Sequence, residues 1–295
     1  MNGWIARGVV ALTVAVSGAG AAFMVLAEMG DRKLARHVDV AVAPVALHSD
    51  AASIERGGYL FRSRGCGDCH GMDGAGAVVV DDGALHVRSP DITPAPTGVV
   101  ARYTAVDWVR TIRHGVKPDG RPVMIMPSEE YNRLVDADLA AIVTYVRQLA
   151  PATGARAEVR LPMPVKALYA AGLVRDASEK IDHSLAPAQP VPEGITTAHG
   201  AYVANGCIGC HGARLTGGKI PGAPPDWPPA ARLAPGPGSA LDRYPSAEPF
   251  MAMLKTGKRP DGSSVTKVMP FVSLKEMNEV DVRALYLHLR SLPSS

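Results

Sequence analysis

The phrase GCGDCHG, Gly65–Gly71, returns as GCIGCHG, Gly206–Gly212, and the only four cysteines of the chain (Cys66, Cys69, Cys207, Cys210) lie in these two phrases. In each phrase the second cysteine is followed directly by a histidine, His70 or His211. Thiols at this spacing suit several chemistries. A redox dithiol is seldom followed by histidine or written twice. Two thiolates and an imidazole supply three ligands of a tetrahedral zinc site. A disulfide across so short a loop would restrain the unfolded chain very little. C-x-x-C-H is also the attachment signature of haem c. There the two thiols add to the two vinyl groups on one edge of the porphyrin, and the next residue's imidazole ligates iron as the proximal ligand. This reading predicts two covalently bound haems c, held by Cys66 and Cys69 with His70, and by Cys207 and Cys210 with His211. Zinc and the redox dithiol are the competing chemistries.

The elements around the motifs are repeated too. ERGGYLF (Glu55–Phe61) lies against AHGAYVA (Ala198–Ala204), WVRTIRHGVKPDG (Trp108–Gly120) against FMAMLKTGKRPDG (Phe250–Gly262), and MIMP (Met124–Pro127) against KVMP (Lys267–Pro270). The offset between copies drifts only from 141 to 143 residues. A duplicated domain of about a hundred residues is a usual domain size. Each copy closes on an apolar helix. The stripe is Leu139, Ile142, Val143, Val146 and Leu149 in the first, with Asp136 as the predicted cap. In the second it is Val282, Leu285, Tyr286, Leu289 and Leu292, with Asn278 as cap. Gly57 and Gly200 interrupt otherwise helical stretches. A helical Gly costs about 1 kcal/mol relative to Ala, so each predicts the close approach of another helix.

A second axial ligand must come from the far face of each haem. Met126 follows His70 by 56 residues and Met269 follows His211 by 58, and each precedes a proline. Proline steers the residue before it into an extended conformation, suited to a loop that holds one thioether in place. Met126 and Met269 are therefore the predicted sulfur ligands, with Met124 the nearest rival in the first copy. His86, His114, His183, His199 and His288 do not recur between the copies and are read as solvated or locally hydrogen-bonded.

With these residues in hand the chain resembles the class I c-type cytochromes, from about residue 50 to the end less one linker. That resemblance implies an all-α fold: two tandem haem-wrapping domains plus an N-terminal transmembrane helix. The divisions are 1–48 for anchor and linker, 49–150 for the first domain, 151–192 for a Pro-rich linker and 193–295 for the second. It further implies that the Pro90 carbonyl, in SPDIT, orients His70, with Ala231 standing opposite Pro90 in the second copy. Trp108, whose counterpart is Phe250, would reach a haem propionate or pack in the core. The nearest likeness is to cytochrome subunits of bacterial membrane-bound dehydrogenases, which usually carry three haem domains where this chain carries two. Haem c attachment in that family places the domains in the periplasm.

Gly8–Ala27 is a run of twenty residues without a charge. A helix of that length spans roughly 30 Å, the thickness of a bilayer core. Ala19-Gly20-Ala21 would suit a signal peptidase, but the apolar run continues past it, which favours a retained single-pass anchor over a soluble periplasmic product. The net charge of +3, with no basic tract interleaved with aromatics, excludes a nucleic-acid partner. Aromatics make up only 5% of the chain, so two porphyrins would supply much of the apolar bulk of its cores. The linker predicts a short apolar helix, Val165–Val174, laid on a haem domain, and Pro221–Pro237 predicts an irregular loop over the second haem. Two filled axial positions per iron describe an electron carrier with no catalytic residues of its own. Its expected partners are a dehydrogenase subunit, a soluble cytochrome or a terminal oxidase. The alternative from another class is a di-haem peroxidase, which needs one open iron face. A redox sensor would need an output module.

Overall fold

A backbone contact between two helices organises each half of the chain. The computed structural model describes residues 3–221, 223–224 and 226–294. It opens on a long helix, α1 (Gly3–Leu34), which includes the only stretch of the described residues long and apolar enough to cross a membrane, Val9–Leu34. The first domain follows with α2 (Ala51–Ser63), capped by Asp50, and a short α3 (Cys66–His70). Strands β1 (Val78–Asp81) and β2 (His86–Arg88) come next, then α4 (Ala105–His114), α5 (Ser128–Tyr131) and α6 (Asp136–Val146). The linker holds β3 (Glu158–Arg160) and α7 (Met163–Ala170). The second domain repeats the helical plan in α8 (Thr197–Ala204), α9 (Ile208–His211), α10 (Ala247–Thr256), α11 (Phe271–Leu274) and α12 (Glu279–Ser291).

Opening and closing helices cross where the chain has no side chain. A Cβ on Gly57 would lie 2.0 Å from the carbonyl oxygen of Ala141 in α6, and one on Gly200 would lie 2.0 Å from that of Ala284 in α12. The predicted reason for both glycines holds. Around the first crossing Leu60, Phe61, Trp108, Leu139, Ile142 and Val143 form one buried cluster. Around the second, Val203, Phe250, Leu254, Val282, Leu285 and Leu289 form its counterpart. In both domains the long helix before the Met-Pro loop ends on a left-handed glycine, Gly115 at φ 62° and Gly257 at φ 69°.

Three features depart from the sequence reading. The helical plan gains one small antiparallel sheet in the order β1-β2-β3. Its hairpin is a β-branched run turned at Asp82-Gly83, and its third strand comes from the linker, pairing His86 with Arg160 and Arg88 with Glu158. The corresponding stretch of the second domain is proline-rich and, among its described residues, keeps an isolated bridge, Gly218 to Ala230. Residues 222 and 225 of the predicted 221–237 loop lie outside the described residues. Second, the linker helix packs on α1, not on a haem domain. The Lys166 carbonyl sits where a Cβ on Gly30 would be, and Lys33 Nζ donates to the Tyr169 carbonyl at 2.9 Å. Arg36 pairs with the buried Asp176 at 2.6 Å. Third, Asp136 is not the cap of α6. Val135 holds the N-cap position without a side-chain bond, and Asp136, one residue inside, pairs with Arg113 at 2.7 Å. Asn278 does cap α12, accepting from the amide of Asp281.

Filling either helix crossing should be costly, because the obstacle is backbone rather than a yielding side chain. Gly57→Ala and Gly200→Ala are each expected to destabilise their own domain by about 1–3 kcal/mol, the usual scale for an overpacked core. Denaturant unfolding of the haem-loaded protein would check this, and an unchanged midpoint would contradict the reading of the crossing.

Candidate haem-attachment sites

Each motif sits directly after its opening helix and is wound as helix. Residues three apart then share a face, so the spacing brings both thiols to one side with the histidine following. In the first domain the motif is α3, entered through Gly65 at φ 79° and left through Gly71 at φ 77°. In the second it divides into a 3₁₀ turn, Asn205–Cys207, and α9, left through Gly212 at φ 78°. The four cysteines are unpaired.

Both histidines are held by a main-chain carbonyl. His70 Nδ1 lies 3.1 Å from Pro90 O, and His211 Nδ1 lies 2.7 Å from Ala231 O. With Nδ1 donating, Nε2 is left as the lone-pair nitrogen of each ring. Burial holds both imidazoles below their ordinary range, against the carbonyls, which act the other way. The neutral ring is the form that ligates a metal. Because the acceptor is backbone, the change from Pro90 to Ala231 removes nothing from this bond.

The loops that carry the carbonyls are anchored alike. Ile92 N donates to Gly74 O and Leu233 N to Leu215 O, each at 2.8 Å. Ser89 adds a tie that the sequence reading did not single out. Its Oγ donates to Cys69 O and accepts from Ala77 N at 2.9 Å. The hydroxyl stands one residue before Pro90, within the SPDIT segment, and the second copy has Ala230 there.

The Met-Pro pairs form the same turn twice. Pro127 has φ −79° and ψ 62°, Pro270 φ −79° and ψ 66°. The amide after each proline donates to the methionine carbonyl at 2.8 Å, Ser128 to Met126 and Phe271 to Met269. These are inverse γ-turns, which fix the methionine backbone at the entrance to α5 and α11. Met124, Met126 and Met269 are all half-buried. Trp108 and Phe250 occupy equivalent buried positions, edge-on to Tyr103 at 5.2 Å and to Tyr244 at 5.7 Å.

The other histidines weighed as distal ligands stand in other surroundings. His199 Nε2 lies 2.7 Å from the Asp281 carboxylate. His114 and His183 meet through their Nδ1 atoms at 3.0 Å, and His183 also reaches Ser178 O. Burial, with His183 and Arg113 acting the same way, holds His114 down at about 4. His86 stands between Asp81 and Glu158 on the sheet at 3.4 and 3.7 Å. His288 has its Cβ against Gly200 at the α8–α12 crossing.

The competing cysteine chemistries find little support. Among the described residues no three His, Cys, Asp or Glu side chains gather as a zinc set would need. Burial pushes the Cys66 and Cys207 thiols up to about 12, the reverse of the lowered values that make a dithiol redox-active. The arrangement that remains is a thiol pair, a neutral imidazole with its Nδ1 engaged, and a fixed Met-Pro turn, present in each half. That set fits a haem c.

Residues 54–150 and 197–293 each match the cytochrome c family. The chain is 26% identical over 280 residues to the fructose dehydrogenase cytochrome subunit of Gluconobacter japonicus, covering 85% of this chain and 55% of that protein. It is 28% identical over 282 residues to the cytochrome c subunit of the quinone-dependent alcohol dehydrogenase of Gluconobacter oxydans, covering 84% and 56%. It is also 28% identical over 181 residues to the gluconate 2-dehydrogenase cytochrome c subunit of Pantoea cypripedii, covering 57% and 41%. The chain thus spans about half of the length of these relatives. Two family matches laid over two copies of one motif geometry place the chain in the cytochrome c family, as two tandem domains that each imply a covalent haem c.

Proposed function

We propose that this chain is a membrane-anchored di-haem electron carrier, the cytochrome subunit of a dehydrogenase system. It would take electrons from a dehydrogenase or quinol donor and deliver them to a terminal oxidase or soluble cytochrome. The observation that carries the reading is that the same two features recur in both halves. Each has the histidine–carbonyl bond and each has the Met-Pro turn. A peroxidase needs one half specialised with an open iron face. Here the halves match at that position.

In this reading Cys66 and Cys69, and Cys207 and Cys210, tether the two porphyrins. His70 and His211 are the proximal ligands, oriented by Pro90 O and Ala231 O. Met126 and Met269 would hold each iron through sulfur. Trp108 is buried in the first core and has an indole N–H to offer a propionate, which Phe250 lacks. Haem c, when bound, supplies a one-electron ferric/ferrous couple, which methionine ligation raises in potential. The protein's own work is to hold both axial ligands in place and keep substrate from the iron.

The helix α1 is read as a retained anchor in a bacterial inner membrane, with the haem domains in the periplasm. Ala27 is buried and Gly30 lies against α7, so the helix continues into the folded part of the molecule. The relatives are cytochrome subunits of fructose, alcohol and gluconate dehydrogenases, which supports a dehydrogenase as donor.

Three outcomes check this reading. Met126→Ala should remove half of the weak near-infrared sulfur-to-iron band of the ferric protein and leave one haem high-spin and able to bind cyanide. Met269→Ala should do the same to the other haem. A band unchanged by either variant would remove that methionine from the ligand set. Pro90→Ala should keep both haems and the visible spectrum, since the acceptor is main chain, while stability falls by no more than about 1 kcal/mol. Loss of the first haem would show that the ring itself is needed. The full chain should fractionate with membranes and need detergent, whereas a mature N-terminus at Ala22 or Phe23 would show a cleaved signal peptide.

A further inference from the structure

Two tyrosines, one from each domain, stand at the same position of the duplicate, and each reaches into the other domain. Tyr59 of α2 donates to the Asp281 carboxylate at 2.6 Å and accepts from the amide of Asn278 at 3.2 Å. Tyr202 of α8 donates to the Asp138 carboxylate at 2.7 Å and accepts from the amide of Val135 at 3.3 Å. Asp138 and Asp281 are duplicates, as are Val135 and Asn278, all at the same offset of 143 residues as the tyrosines. The contact is therefore reciprocal, the pattern of a two-fold interface formed within one chain.

The chemistry of the contact is specific. In a capping box the third helical residue's carboxylate accepts from the N-cap amide. Here a tyrosine hydroxyl from the other domain stands between the two groups and satisfies both. Val135 has no side chain able to cap α6, so Tyr202 serves an amide that would otherwise be an orphan. Each carboxylate is also held from its own domain, Asp138 by Arg56 at 2.9 Å and Asp281 by His199 at 2.7 Å. Arg64, next to the first motif, crosses to Asp281 at 2.6 Å.

This pairing brings the two haem-attachment segments together. Gly65, at the entrance to the first motif, lies beside the Ser273 hydroxyl of α11, and the Glu130 carboxylate of α5 occupies the space next to Gly209, inside the second motif. Glu130 and Ser273 are again duplicates, at 143 residues. Cys69 and Cys207 line one interdomain cleft of about 240 Å³, together with Arg64, Tyr131 and Tyr202.

We propose that Tyr59–Asp281 and Tyr202–Asp138 are a pair of positioning locks that hold the two attachment segments face to face. They give electron exchange between the domains one fixed distance instead of a range. This rests on the two-haem reading above. Tunnelling falls steeply with distance, so a chain whose domains swung on a linker would exchange electrons only in its closest poses.

The test compares the full-length protein with Tyr59→Phe, Tyr202→Phe and the double variant. Haem content and the ferric absorption spectrum should be the same in all four. Magnetic dipolar coupling between the two ferric centres should give one narrow distance in the wild type and a broadened distribution in the double variant. A narrow distance retained in the double variant, or a broad one in the wild type, overturns the proposal. Should the double variant fail to accumulate with two haems, the single variants decide. Broadening in either supports the locks, and the wild-type distribution in both overturns them. Amide exchange at Val135 and Asn278 reads the same locks without reference to haem. It should quicken at Val135 in Tyr202→Phe and at Asn278 in Tyr59→Phe, and unchanged protection at both overturns the proposal. A wild type carrying fewer than two haems would fail the functional reading, while the exchange data would still judge the locks.

Discussion

Everything in each half hangs from the crossing of its first and last helices at a glycine. The motif with its thiols and imidazole follows the opening helix directly, and the Met-Pro turn shortly precedes the closing one. Bringing α2 against α6, and α8 against α12, at backbone distance therefore fixes both flanks of a cofactor with one contact. The contact has to be close because the remaining core is small. Leu60, Phe61, Val143 and their neighbours fill the first crossing, and Val203, Val282 and Leu289 the second, in a chain poor in aromatic residues. A covalently attached haem, which the cytochrome c domains imply, would add to each core.

What could be read from sequence was whatever is set by neighbours along the chain. The motif, the proline after each methionine and the apolar stripes of α6 and α12 are local patterns, and the helices form where those patterns lie. Gly57 and Gly200 were legible because an expensive residue was placed twice at the same point. The missed features depend on contacts far apart in sequence. Val159 belongs to a strand only because the hairpin Val78–Arg88 offers an open edge. The linker helix found α1 because Gly30 admits the Lys166 backbone, which no property of the linker announces. Asp136 looked like a cap, yet the cap position lies one residue earlier, at Val135, whose own amide is served by Tyr202 from the other domain. The repeat of Tyr59 as Tyr202 was visible in the sequence. Its reciprocal pairing with Asp138 and Asp281 was not, since it requires knowing how two domains face each other.

The duplicate also shows what the geometry tolerates. Pro90 becomes Ala231, Ser89 becomes Ala230 and Trp108 becomes Phe250, yet the histidine keeps its carbonyl and the aromatic keeps its buried place. Main-chain acceptors survive substitution, whereas side-chain ties such as Ser89 to Cys69 do not. Among its described residues the second domain has no counterpart of the sheet in the first, and prolines occupy that stretch. These differences leave the histidine–carbonyl bond and the Met-Pro turn alike in the two halves and their surroundings unlike.

The central claim is that each half binds one covalent haem and fills both of its axial positions. Purified full-length protein, extracted with acid–acetone and weighed intact, should retain a mass equal to the polypeptide plus two haems. Electron paramagnetic resonance of the same ferric sample should show two low-spin centres and no high-spin iron. One haem per chain, or bound zinc in place of haem, would contradict the attachment sites. A five-coordinate haem with rapid peroxide turnover would contradict the electron-carrier account.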